Sequence, residues 1–137
     1  MKTYTLLLLA LTFLSCKENV EDIQLLNGYW EIEKVVFNNG ESKDYTTNET
    51  VEHFVVDADL VGYRAKVKPL LDGSFEVVAD GEMIQLSKDD GTWLINYQTS
   101  FSDWTESIQI LDDNHLELIN EDNKTYIYKR YNPEQPE

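Results

Sequence analysis

From Tyr29 onward apolar and polar residues alternate in short runs, and no window of roughly 11 to 18 residues keeps an apolar face at helical spacing. Such runs predict strands over Tyr29–Phe37, Val51–Asp57, Gly62–Lys68, Ser74–Ala79, Met83–Ser87, Thr92–Gln98, Glu106–Leu111, His115–Asn120 and Thr125–Tyr131. Between them lie Asn38-Asn39-Gly40, Asp72-Gly73, Asp80-Gly81, Asp89-Asp90-Gly91, Asp112-Asp113-Asn114 and Glu121-Asp122-Asn123, residue types that tolerate positive φ and close hairpins. In Thr92–Gln98, Trp93, Ile95 and Tyr97 share one face; in His115–Asn120, Leu116 and Leu118 do. One wet face per strand fits a closed barrel or a sandwich, and closure removes exposed edges. The helical candidate, a single turn near Glu18–Leu26, reads as too short and too polar to organise anything.

The N-terminus breaks this pattern. Lys2, the apolar run Leu6–Leu14 and small Ser15 form a secretory leader over residues 1–15. The run is far short of the roughly 20 residues of a spanning helix. Without the leader the chain has one fewer than its 11 Lys and Arg against 26 Asp and Glu, a net charge near −16. That excludes nucleic acid and electrostatic docking to anionic lipid as expected roles. At 137 residues and 42% hydrophobic content, one domain with a packed core is expected, and the single cysteine forms no internal disulfide.

Phe13-Leu14-Ser15-Cys16 resembles a bacterial lipobox, with Phe13 and Leu14 departing from its commonest residues. The resemblance implies cleavage before Cys16 and acylation of that cysteine. Two or three acyl chains, at about 0.8 kcal/mol per buried methylene, would hold the protein on an outer-membrane bilayer. A cleaved secretory peptide with a free thiol is the alternative. Lys17-Glu18-Asn19-Val20-Glu21-Asp22 is similar to the Lys-then-acidic signal of surface lipoproteins in Bacteroidota. The expected location is therefore the bacterial cell envelope, facing either periplasm or cell surface, with residues 16–25 as tether.

Gly28-Tyr29-Trp30 resembles the Gly-x-Trp opening of lipocalin-like domains, whose Trp plugs the barrel base. Tyr126-Ile127-Tyr128-Lys129-Arg130-Tyr131 supplies the Arg that such domains lay across it. A guanidinium on an indole is worth about 0.5 to 2 kcal/mol and would tie the first strand to the last. The chain is similar to small lipocalin-like lipoproteins of Bacteroidota. This implies an antiparallel up-and-down barrel of about eight strands over residues 26–131, closed by Trp30 and Arg130, with a loose tail over residues 132–137. It departs from larger lipocalins in its shortness, with no second lipocalin motif and no disulfide.

Catalytic chemistry finds no anchor. His53 and His115 lack a nucleophile motif, and the Asp-rich turns do not follow a calcium loop. Zinc lacks its usual thiolates, so no enzyme activity, metal or cofactor is expected. Arg64, Lys66 and Lys68 form a basic stripe, read either as cross-strand pairing with acids or as a docking point for an anion. Tyr63, Trp93, Tyr97, Trp104, Tyr126 and Tyr128 are the pool for an aromatic ligand pocket, with core filling as the competing use. The expected function is non-catalytic binding of a small apolar or amphipathic ligand. The alternative is a ligand-free module that docks another envelope protein through its outer face.

Overall fold

Ten strands follow a short 3-10 turn in the computed structural model, which describes Val20 and residues 22–133. The leader and Cys16 lie outside the described residues. The strands are β1 (Gly28–Val36), β2 (Ser42–Asp44), β3 (Val51–Val56), β4 (Val61–Pro69), β5 (Phe75–Val77), β6 (Glu82–Asp89), β7 (Thr92–Gln98), β8 (Asp103–Leu111), β9 (His115–Asn120) and β10 (Thr125–Arg130). The sheet runs β10-β9-β8-β7-β6-β4-β3-β1, and β10 pairs β1. The result is a closed antiparallel barrel of eight strands, to which β2 and β5 are appended.

Asx turns set the register at several hairpins. Asp112 Oδ1 accepts from Asn114 N and His115 N, and Asn120 Oδ1 accepts from Asp122 N and Lys124 N. Strand β2 was not expected from the sequence, since Ser42-Lys43-Asp44 is exposed throughout and carries no apolar signal. It forms because the end of β1 outruns β3: β3 pairs only Gly28–Trp30, leaving Lys34–Val36 to β2.

The 3-10 turn Ile23–Leu26 corrects the expectation that this segment organises nothing. Asp22 caps it by accepting from Gln24 N, and Leu26, completely buried, closes one end of the barrel beside Trp30. Asn27 sews the turn to β3, donating to Val56 O and accepting from Val56 N at 3.1 and 2.6 Å. The hairpins β3–β4, β6–β7 and β8–β9 share this closed end; the opposite end is the mouth.

A second, smaller core lies outside the barrel. Val51, Ala65 and Val67 are buried there under Tyr29, Phe75 and Tyr131. Phe75 on β5 stacks on Tyr29, which stacks on His53, at centroid distances of 4.0 and 4.2 Å. Strand β4 therefore turns its apolar face outward and sends Arg64 inward.

Candidate functional site: the mouth of the barrel

The closed end is fixed by Arg130. Its guanidinium lies 3.9 Å from the Trp30 ring centroid. It donates to the carbonyls of Asn27, Leu25 and Asp113 at 2.7, 2.7 and 2.8 Å. Gly28, at φ +121°, makes this possible, because a Cβ there would sit 2.8 Å from Arg130 Nη1. The Trp30 indole donates to Leu26 O at 2.9 Å, so the plug has its polar atom satisfied.

Towards the mouth the inward positions become charged. Arg64 forks onto Glu82, with Nε and Nη2 each 3.2 Å from a carboxylate oxygen. Its Nη1 reaches Glu106 at 3.5 Å and the Tyr97 hydroxyl at 3.4 Å, and the guanidinium lies 4.4 Å from the Tyr97 ring centroid. Glu52 stands 4.0 Å from Nε and takes Lys66 Nζ at 3.4 Å. Burial works against the Arg64 charge, but Tyr97, the Glu82 hydrogen bond and Glu52 outweigh it and hold the guanidinium protonated. Burial pushes the Glu106 carboxyl above its ordinary range, with Arg64 pulling the other way. Pairing of this kind is what makes buried charge tolerable, since an unpaired one costs several kcal/mol or more.

Beside this cluster the barrel wall splits. Past the Trp30–Glu52 pair, β3 leaves β1, and residues 45–50 cross the opening. Asn48 replaces the missing ladder by donating to Ile32 O and to Glu31 at 3.0 and 3.1 Å. The wedge left between β1, β10 and residues 45–50 is a half-enclosed cavity of about 350 Å³. Trp30 and Ile32 form its floor, Tyr45, Tyr126 and Tyr128 its aromatic wall, and Glu49, Glu52 and Lys66 its charges. Tyr128 is 6% exposed, and among the described residues its hydroxyl has no hydrogen-bond partner. Among the described residues no side-chain polar atom is both sealed from open space and unpartnered, so this hydroxyl opens on the cavity.

The aromatic pool read from the sequence is dispersed. Tyr126 and Tyr128 reach this cavity. Tyr97 and Trp104 stack at 5.0 Å and line a separate hollow of about 540 Å³ with Met83 and Asn96. Trp93 lines a third hollow, of about 380 Å³, beside Val20. Tyr63 lies on the outer face of β4, 40% exposed and edge-on to His53, and lines none of these three hollows. The sequence reading passed over Glu52, Glu82 and Glu106. Their one signal was alternation in register with Arg64, and 26 acids in the chain drown it. Of the two readings of the basic stripe, Arg64 and Lys66 follow cross-strand pairing, with Glu82 and Glu52.

A barrel of eight antiparallel strands, opened by Gly-x-Trp and closed over it by an Arg, has the lipocalin-like fold. Two crystal structures are similar to it. One is a lipocalin-like protein from Bacteroides uniformis, with a TM-score of 0.52 and 15% identity, covering 78% of this chain and 99% of that one. The other is an uncharacterized protein from Bacteroides eggerthii, with a TM-score of 0.50 and 14% identity, covering 77% and 99%. No protein-family model matches the chain, and no curated protein matches it.

Proposed function

We propose that the protein is a membrane-tethered, non-catalytic binding protein that takes a small molecule in the wedge cavity at the barrel mouth. The observation that carries this reading is the Tyr128 hydroxyl, which has no hydrogen-bond partner among the described residues and opens on a cavity walled by three tyrosines. A polar atom on an otherwise buried side chain is usually partnered, and a ligand or water in the cavity can complete this one. The volume, about 350 Å³, falls at the low end of ligand pockets and holds about a dozen water-sized heavy atoms. Native mass spectrometry of the full chain carrying Cys16→Ser, which takes no lipid, tests this. A co-purified small molecule lost on Tyr128→Phe supports it; a bare mass and no thermal shift across a metabolite panel count against it.

The tether rests on the lipobox-like Phe13-Leu14-Ser15-Cys16. Palmitate labelling of the wild type, absent from Cys16→Ser, is the expected result, and an unmodified N-terminal cysteine would refute it. A second reading, docking of another envelope protein, is favoured by Leu71 and Phe101, fully exposed in the β4–β5 and β7–β8 connections at the mouth. Loss of a crosslinked envelope partner on changing both to Ser, with ligand binding intact, would separate the two readings.

A further inference from the structure

The wedge cavity has a sign of charge. Glu52 stands at its wall with 17% of its side chain exposed, and Glu49 lies on its rim. Behind Glu52 sit Glu82 and Glu106. Against these four carboxylates stand two cations, Arg64 and Lys66, and both are occupied. The Arg64 fork is filled by Glu82, and Lys66 Nζ lies on Glu52. An incoming anion would have to break one of these pairs and then face the remaining glutamates at low dielectric. An incoming cation meets the reverse. Lys66 is 50% exposed on a flexible stem, so its ammonium can be exchanged for another at little expense in buried contacts. The Tyr128 oxygen can accept from that ammonium, and Tyr126 presents ring surface of the kind that attracts cations, as the Tyr45 ring already does with Lys43 Nζ 4.8 Å from its centroid.

We propose that the cavity takes a small organic ammonium compound with a compact aromatic or aliphatic body: the ammonium replaces Lys66 on Glu52, donates to the Tyr128 hydroxyl, and the body packs on Ile32 and Tyr126. The proposal rests on the reading of this cavity as a binding site and adds to it the charge of the occupant. The volume suits a body of roughly the size of a phenylethyl or hexyl group.

Isothermal titration of the full chain carrying Cys16→Ser tests both statements at once. The probes are 2-phenylethylammonium, 2-phenylethanol and phenylacetate, with the hexyl trio alongside, at neutral pH and low salt. The ammonium member of at least one trio is expected to bind about tenfold or more tighter than its alcohol and its carboxylate. Glu52→Gln should erase that advantage, bringing the ammonium down to the level of its alcohol. Lys66→Met, which removes the resident competitor, should tighten the ammonium severalfold. An alcohol equal to its ammonium, or a carboxylate tighter than both, overturns the charge assignment and leaves the binding site standing. No binding of any probe at millimolar concentration overturns both. Should Glu52→Gln fail to fold, Lys66→Met decides, since no gain there means that Glu52 is not the anchor.

Discussion

Arg130 concentrates several interactions in one side chain: it packs on Trp30 and bonds three carbonyls from two distant segments of the chain, residues 25–27 and Asp113. Charge-assisted hydrogen bonds are worth about 1.5 to 3 kcal/mol each when buried, and less where solvent competes. Arg130 is partly exposed, so Arg130→Ala is expected to destabilise by about 2 to 4 kcal/mol in urea unfolding. Arg130→Lys should recover less than half of that, because an ammonium cannot fork between Leu25 O and Asn27 O. This pair is legible in the sequence because Gly28, Trp30 and Arg130 sit at fixed ends of the fold. The Glu52, Glu82 and Glu106 set is not, because an inward carboxylate looks like any other until strand order brings it to Arg64. Glu106 carries a pH consequence. Its carboxyl is raised in the folded state by burial, so the native protein binds that proton more tightly than the unfolded chain. Its contribution is present below the ordinary glutamate range and is lost as pH rises through the raised folded value. Glu106→Gln should therefore gain stability relative to wild type as pH climbs across that window, measured by denaturant midpoints. An advantage that shrinks with rising pH would refute the assignment.

At the scale of elements, β4 shows why alternation names two faces without saying which one is inside. Tyr63, Ala65 and Val67 form its apolar face, yet that face looks outward, because Phe75 and Tyr29 cover part of it with the satellite core. The deciding fact is the β4–β5 hairpin, which pairs Val67 with Val77 and folds back over the wall, and no local pattern in β4 encodes it. The strands Thr92–Gln98 and His115–Asn120 were legible to the residue, since each has a single apolar face and no such cover. The same reasoning predicts that β5 is an independently removable flap. Phe75→Ala deletes the ring that stacks on Tyr29, and as the ring is only half buried the expected loss is about 1 to 2 kcal/mol. Hydrogen exchange should then rise over residues 70–80 while β7 and β9 keep their protection. Uniform loss of protection would mean that the satellite core is part of one cooperative unit with the barrel.

For the whole molecule, the placement of Val20 decides how a lipidated chain would stand on a membrane. Val20 packs against the barrel core and lines a hollow that includes Gly91, in the β6–β7 turn at the closed end. From there to Cys16 is four residue steps, a reach of about 14 Å at full extension. The barrel is taller than that: nine residues of β1 at about 3.3 Å each, tilted by about 40°, span roughly 23 Å. A lipid on Cys16 would thus keep the closed end towards the bilayer and turn the mouth away from it. The turns at the closed end work against this orientation on anionic lipid, because Asp57, Asp59, Asp89, Asp112 and Asp113 would face the headgroups and be repelled, so the short tether alone holds it. The wedge cavity would then exchange its occupant with the aqueous phase and not with the tethering leaflet. Single-cysteine probes test this on the acylated chain in vesicles carrying brominated or spin-labelled lipid. A fluorophore at position 113, in the β8–β9 turn, is expected to be quenched strongly, and one at position 101, in the β7–β8 connection, weakly. The reverse order would place the mouth on the membrane, where the exposed Leu71 and Phe101 would be its contacts, and would overturn the proposed standing orientation.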